Sequence, residues 1–163
     1  MIKDSPTVRD HLRDAYRCAW SWSQDNNTKV GALIVDEEGI IYTYGANVFI
    51  KGLETQEKPL KYKLIEHAEA RAIHEAAKLG IGLDGKILVS TWACCSNCAR
   101  AIVFSGIKKV ITHGRSLART PERWREDIEI GLSILAAGGV ELELFYPEVG
   151  GCTNMFNGVE WRP

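Results

Sequence analysis

The sequence predicts an α/β protein, built as a three-layer α/β/α sandwich around a mixed five-stranded sheet. The C-terminal half alternates short β-type segments with longer helical segments, a pattern typical of parallel strands joined by crossover helices. The N-terminal half holds two apolar runs on either side of the hairpin-type turn Asp36–Gly39. This antiparallel hairpin is what makes the expected sheet mixed.

Each element is predicted from hydrophobic periodicity and from glycine or proline stops. In the first helix, Val8, Leu12, Ala15, Ala19 and Trp22 are expected on the buried side. On the same helix His11 is expected to be solvated, whereas Cys18 is expected to be a buried core thiol. The expected helices are 7–23, 65–79, 97–105 and 121–137, and the expected strands are 30–35, 40–44, 86–91, 109–112 and 140–146. Residues 47–64 are expected to form a long polar connection, a type that is usually functional or mobile.

Composition narrows the class of protein. The chain has 163 residues, 45% hydrophobic and 25% charged, which fits one globular domain over residues 1–163. The formal net charge of −1 argues against duplex DNA or structured RNA as a partner. No apolar run is long enough for a membrane span, and Met1–Pro6 is polar where a signal peptide needs an apolar run. Five cysteines, an odd number, favour a reducing compartment, so we expect the cytoplasm, or the host cytoplasm if the chain is phage-encoded.

Two short motifs carry the chemistry. His67-Ala68-Glu69 opens one predicted helix, and Cys95-Ser96-Asn97-Cys98 opens another directly after a strand. One histidine and two cysteines suit Zn²⁺, and three protein ligands leave the fourth position for water. Two residues on a regular helix point about 200° apart, so His67 and Glu69 can converge only where the helix begins. The alternatives are a thioredoxin-like redox pair, or a closed structural zinc site with Cys94 as fourth ligand.

A carboxylate beside a zinc-activated water can take its proton and return it to a ring nitrogen and a leaving amine. The H-x-E and C-x-x-C combination is the signature of zinc nucleobase deaminases. The chain resembles the zinc-dependent cytidine and deoxycytidylate (dCMP) deaminase superfamily, and within it the dCMP deaminases of bacterial and phage type. The stretches that carry the resemblance are Asp25–Ala32, Gly45–Asn47, Lys61–Glu69, Cys95–Arg100 and Ser105–Val110.

The resemblance implies a cytidine deaminase-like fold and a role for each matching residue. It makes His67, Cys95 and Cys98 the zinc ligands and Glu69 the proton shuttle. It implies that Asn47 binds the sugar, and that the backbone of Ala68 with the side chains of Val30 and Trp92 border the base. The implied reaction is dCMP + water → dUMP + ammonia, which supplies dUMP for thymidylate synthesis. A homo-oligomer, often hexameric, and regulation by dCTP and dTTP with Mg²⁺ are also implied.

The chain departs from the family pattern at several positions. Cys94 replaces a usual proline and is expected to be an inert neighbour. The loop Asn47–Gly52 lacks the family's glycine and proline, and Lys51 stands where the family has arginine. His113 follows a strand where the family often has an aromatic residue, and it is expected at the surface or in the pocket wall. The candidate phosphate or effector contacts are Lys51, Lys61, Lys63 and Arg115, although the lysines also fit a solvated loop.

Three other functions fit parts of the pattern. A tRNA adenosine deaminase shares both motifs, but the net charge of −1 weighs against it. A deaminase of a free nucleoside, or of a pterin- or riboflavin-pathway intermediate, stays within the same chemistry. A non-catalytic, zinc-stabilised binding module belongs to a different class, and an intact Glu69 speaks against it. The helical stripe Trp124, Ile128, Leu132 and Leu135 is expected to be core or a subunit interface.

Overall fold

The computed structural model describes residues 7–163, so the expectation for Met1–Pro6 lies outside the described residues. The strands are β1 Gly31–Val35, β2 Ile41–Ala46, β3 Val48–Phe49, β4 Ile65–Glu66, β5 Ile87–Ser90, β6 Lys109–His113, β7 Glu141–Phe145, β8 Asn154–Phe156 and β9 Val159–Trp161. The helices are α1 Val8–Trp22, α2 Leu60–Leu64, α3 Ala68–Leu79, α4 Ser96–Phe104, α5 Gly114–Ala118 and α6 Glu122–Ala137. Across residues 7–163, no helix combines the length and the apolar character that a membrane crossing requires.

Five strands form one mixed sheet in the order β2-β1-β5-β6-β7, which confirms the predicted fold class. Strand β1 is antiparallel to both β2 and β5, whereas β5, β6 and β7 run parallel to one another. Helix α4 connects β5 to β6, and α6 lies in the connection from β6 to β7. The predicted crossover units and the predicted N-terminal hairpin are therefore both present.

The sheet separates two apolar clusters, and neighbouring residues of β1 alternate between them. Leu33 and Val35 pack in the cluster that contains α1 and the C-terminal segment. Ala32 and Ile34 pack in the other cluster, which contains the buried residues of α3, α4 and α6. This alternation follows from the two-residue period of a strand and produces the three layers.

The helix predicted to start at Ile65 begins three residues later. Ile65 and Glu66 instead form β4, which pairs with β3, and His67 is the N-cap of α3 with an extended backbone. His67 and Glu69 consequently do not follow regular helical spacing. The expected long connection 47–64 also contains regular structure, namely β3 and α2.

The structure corrects the predicted positions of three side chains, which are Trp22, His11 and His113. Trp22 is 59% exposed, whereas His11 is buried, with Nε2 3.0 Å from the carbonyl oxygen of Gly39. The buried face of α1 is therefore rotated towards the β1–β2 turn. His113 is not at the surface, because it is fully buried, with Nδ1 2.7 Å from the hydroxyl of Tyr16 and its ring stacked on Trp161; it lines neither of the two cavities described below. Cys18 is buried, as predicted.

Candidate active site

Three strand ends meet at one edge of the sheet and form the floor of a cavity. Gly31 pairs with Ala46 and Ala32 pairs with Ser90, so the start of β1 lies beside the ends of β2 and β5. The residues just beyond these ends are Val30, Asn47 and Trp92, and all three line a cavity of about 270 Å³. Sequence reasoning had placed these three residues around the substrate, and the structure brings them together.

Two helix N-termini bring together three side chains that could hold a metal ion. His67 and Cys95 line this cavity, whereas Cys98 lines a second cavity beside it. Nδ1 of His67 lies 3.3 Å from Sγ of Cys95 and 3.5 Å from Sγ of Cys98. The three candidate ligand atoms all lie within 4.8 Å of one another. Cys95 is the N-cap of α4, and its sulfur accepts a hydrogen bond from the backbone N–H of Cys98. We call His67, Cys95 and Cys98 the metal-ligand group.

The chemistry of this donor set fits zinc. Hydrogen bonds from Cys98 and then from His67 lower the pKa of Cys95 and favour its thiolate, whereas the hydrogen bond to Cys95 raises the pKa of Cys98, which keeps its proton while no metal is bound. The hydrogen bond to Cys95 in turn raises the pKa of His67. One imidazole nitrogen and two sulfurs are ligands that zinc prefers, and a three-ligand set leaves one tetrahedral position for water or substrate. The group therefore has the composition of an open site.

Glu69 lies in the first turn of α3 and faces the same cavity. Its side chain is buried, with only 4% of the residue exposed, and burial raises its pKa to about 7. Its Oε1 accepts a long hydrogen bond of 3.5 Å from the hydroxyl of Ser90. A carboxyl group with a pKa near neutral can both accept and release a proton, which is the property a general acid–base requires.

Two glycines let neighbouring backbone pack directly against the metal-ligand group. A Cβ atom at Gly45 of β2 would lie 2.0 Å from the carbonyl oxygen of Ala68, the residue between His67 and Glu69. A Cβ atom at Gly131 of α6 would lie 2.4 Å from the carbonyl oxygen of Cys94, next to Cys95. Both contacts are possible only because glycine lacks a Cβ atom, so these positions fix how closely β2 and α6 approach the site.

Several polar residues also line this cavity. We call the cavity-lining residues Asp25, Thr28, Asn47, Lys61 and Arg123 the polar wall. Oδ1 of Asn47 accepts hydrogen bonds from the hydroxyl of Ser23 and from the N–H of Val30, and Nδ2 donates to the carbonyl of Thr28. Asn47 thus holds the segment that leads into β1, and one hydrogen of its amide remains for a ligand.

Lys61 differs from the solvated or phosphate-binding lysine that the sequence suggested. It is 2% exposed, and its Nζ lies 2.7 Å from Oδ1 of Asp25. The same carboxylate oxygen accepts the backbone N–H groups of Asn27 and Thr28. The charge of Lys61 is therefore compensated by Asp25, and the pair ties α2 to the loop before β1.

The other predicted cations lie away from this cavity. Lys63 is exposed and lines a second cavity of about 620 Å³ next to the first. Lys51 and Arg115 line neither of these two cavities, and Nε of Arg115 donates to the carbonyl of Tyr146. Cys94 is buried, which raises the pKa of its thiol, and it does not belong to the metal-ligand group. This agrees with the inert role expected for it.

Sequence reasoning missed several cavity residues, which are Tyr62, Asn97, Arg123, Trp124 and Asp127. Trp124 had been assigned to core or interface, but it lines the cavity with its ring edge-on to Tyr62, at a centroid distance of 5.1 Å. Tyr62 lies within the stretch that carries the family resemblance, so it could have been found. The sequence around Arg123 and Trp124 carries no motif that indicates a site.

Comparison with known proteins identifies the family. The profile of the "cytidine and deoxycytidylate deaminase zinc-binding region" matches residues 6–114, well over half of the chain. The chain belongs to this family. It is accordingly an enzyme of the deaminase class, a hydrolase, with a zinc-binding deaminase region.

The similar proteins are also deaminases, and their sequences are about a quarter to a third identical to this chain. An uncharacterised deaminase of Aliivibrio fischeri, from the region 3′ of luxG, is 33% identical over 126 residues, which cover 75% of this chain and 82% of the relative. The apo crystal structure of the dCMP deaminase from cyanophage S-TIM5 superposes with a TM-score of 0.67 at 26% identity, covering 85% of this chain and 96% of that one. The structure of the same phage enzyme in complex with dCMP and dUMP gives 0.65 at 27% identity, covering 82% and 93%.

Proposed function

We propose that this protein is a dCMP deaminase that converts dCMP and water into dUMP and ammonia, acting as one domain over residues 1–163. The observation that carries the proposal is a His/Cys/Cys cluster beside one cavity, which is lined by His67 and Cys95 of that cluster and by the buried Glu69. The choice of dCMP is supported by the similarity to the phage dCMP deaminase that was crystallised with dCMP and dUMP.

In this proposal His67 Nδ1 and the sulfurs of Cys95 and Cys98 hold the zinc ion. When bound, zinc lowers the pKa of a water molecule and supplies the nucleophile of the reaction. Glu69 would pass one proton of the attacking water to N3 of the base, and would then pass the proton that remains on the new C4–OH group to the amine, which leaves as ammonia. The C4–N bond breaks and a C4–O bond forms, so no redox cofactor is needed.

The remaining cavity residues orient the nucleotide. Val30, the backbone of Ala68 and Trp92 border the base, and the free amide hydrogen of Asn47 donates to the deoxyribose. The ring of Trp92 is held in place, since its Nε1 donates to the hydroxyl of Thr120 at 3.0 Å. A ring fixed in this way limits where a flat base can lie.

We extend the proposal to assembly, regulation and location on the strength of the family resemblance. It implies a homo-oligomer, often hexameric, and control by dCTP and dTTP with Mg²⁺. The described cysteines form no disulfide, which suits the reducing conditions of the cytoplasm. Light scattering after size exclusion, with and without each nucleotide and Mg²⁺, measures assembly and its response to effectors.

The deciding experiment measures ammonia release by the zinc-loaded protein with five separate substrates. These are dCMP, CMP, dCTP, deoxycytidine and an adenosine-bearing tRNA anticodon stem-loop, each tested with and without dCTP or dTTP. We expect dCMP to be turned over fastest. Turnover of the RNA or of the nucleoside with none of dCMP would keep the zinc chemistry and overturn the substrate. No turnover of any substrate by a protein that holds zinc would favour a non-catalytic binding module.

A further inference from the structure

Arg123 lies on the face of α6 that lines the first cavity. The family profile ends at residue 114, so it does not include this arginine. Asp127 lies one turn later on the same face, and its Oδ1 accepts a hydrogen bond of 2.6 Å from the hydroxyl of Ser96. Ser96 stands between Cys95 and Cys98. Because a helix rises 1.5 Å per residue, Arg123 lies about 6 Å farther along α6 from these cysteines than Asp127 does.

Within residues 7–163, Arg123 makes no ion pair, and the carboxylate of Asp127, one turn away, is hydrogen-bonded to Ser96 instead. Lys61, by contrast, is matched by Asp25. Within residues 7–163, the guanidinium of Arg123 makes one side-chain hydrogen bond, which Nη2 donates to Oδ1 of Asn157 at 3.0 Å. Asn157 is neutral, so Arg123 keeps a full charge and unused N–H donors at the cavity wall.

Asn157 belongs to the turn between β8 and β9, and this turn is hydrogen-bonded to the cavity-lining loop that precedes β1. The backbone N–H of Asn157 donates to the hydroxyl of Thr28, and that of Gly158 donates to the carbonyl of Asn27. Phe156 packs edge-on against Trp92, with the ring centroids 5.0 Å apart. The C-terminal hairpin therefore connects Arg123 to the loop and to the tryptophan that line the same cavity.

We propose that Arg123, held by Asn157 of the C-terminal hairpin, binds the 5′-phosphate of the nucleotide substrate. The proposal rests on the proposed function, because it presumes a nucleotide whose amine lies at the metal-ligand group. The phosphate is at the opposite end of dCMP from that amine, and Arg123 lies away from the cysteines along α6. A guanidinium is suited to the task, since its planar fork can make two parallel hydrogen bonds to phosphate oxygens.

The test compares a nucleotide with its nucleoside in the wild type and in Arg123→Gln. A hydrogen bond to a charged group corresponds to about 10- to 100-fold in affinity, so KM for dCMP should rise by about that factor. The kcat/KM for deoxycytidine should not change, because this substrate lacks the phosphate. Calorimetry should show the same loss for dUMP binding and none for deoxyuridine, without depending on turnover.

Arg125→Gln is the matched control, since Arg125 is on the same helix, pairs with Glu122 and lies outside the cavity lining.

Asn157→Asp tests the positioning role separately. Aspartate tolerates the positive φ of 50° at this position and keeps an oxygen for Arg123, but it adds a competing negative charge. We expect KM for dCMP to rise by up to about fivefold, with kcat and the kinetics of deoxycytidine unchanged.

The outcomes separate this inference from the proposed function. A wild type that prefers dCMP over deoxycytidine, with Arg123→Gln keeping that preference, would overturn the inference alone. Equal losses for nucleotide and nucleoside would also overturn it, because Arg123 would then have only a structural role. A wild type with no preference for the phosphorylated substrate would overturn both.

Discussion

The metal-ligand group and the polar wall lie beside the same cavity, which His67 and Cys95 also line, but the two are built in different ways. The metal-ligand group comes from two helix N-termini, and within each motif the functional residues are two or three positions apart. The polar wall is assembled from segments far apart in the chain, through contacts such as Lys61 to Asp25 and Asn157 to Thr28. The first region is organised by local backbone geometry, whereas the second depends on the complete fold. Substitutions should therefore abolish the chemistry in the first region, and change stability or substrate preference in the second.

The largest effect is expected at Cys98. Cys98→Ala removes one of three metal ligands, so bound zinc and deamination should both fall to background. Metal content is measured by atomic emission after dialysis, and activity by ammonia release. Cys94→Ala is a matched control, because both cysteines are buried in the same apolar cluster but only Cys98 belongs to the metal-ligand group. Loss of zinc from Cys94→Ala, or retention by Cys98→Ala, would contradict this picture of the site.

The next effect concerns proton transfer alone. Glu69→Gln keeps the size of the side chain but cannot accept a proton, so kcat should fall by at least about 100-fold while zinc stays bound. Glu75→Gln is the matched control and should leave kcat unchanged. Glu75 is on the same helix, but it pairs with Arg71 and does not line the cavity that contains Glu69. A Glu69→Gln enzyme with nearly normal kcat would remove this residue from the mechanism.

The smallest of the three effects tests the polar wall. Lys61→Met leaves the carboxylate of Asp25 buried without its cation, which should lower the free energy of unfolding by about 3 kcal/mol. Lys63→Met, two residues away and exposed, should change it by no more than about 0.5 kcal/mol. Urea denaturation followed by circular dichroism measures both. Equal and small changes would show that the Lys61–Asp25 pair does not hold α2 in place.

The fold class and the residues His67, Cys95 and Cys98, which the structure brings together, could be predicted from the sequence for one physical reason. Strand and helix periods, and the spacing within His67–Glu69 and Cys95–Cys98, are properties of neighbouring residues. Even the start of α3 was constrained, because His67 and Glu69 could face one cavity only if the helix began between them. The error at Ile65 arose because a short strand and a helical turn have similar apolar patterns.

The polar wall could not be predicted in the same way. The role of Lys61 depends on Asp25, which lies 36 positions away, and nothing local distinguishes a buried lysine from a solvated one. The position of Arg123 depends on a C-terminal hairpin that no clear sequence pattern predicts. His113 was uncertain for the same reason, since Tyr16 and Trp161 reach it from opposite ends of the chain.

The glycines behind the metal-ligand group have a consequence for how this enzyme tolerates change. Gly45 and Gly131 take no part in the chemistry, yet each lies against the backbone that carries a metal ligand. A single added methyl group at either position must displace the N-terminal turn of α3 or the segment that leads into α4. A substitution at Gly45 or Gly131 would therefore disturb the spacing between His67 and the two cysteines, although none of those three residues had been changed.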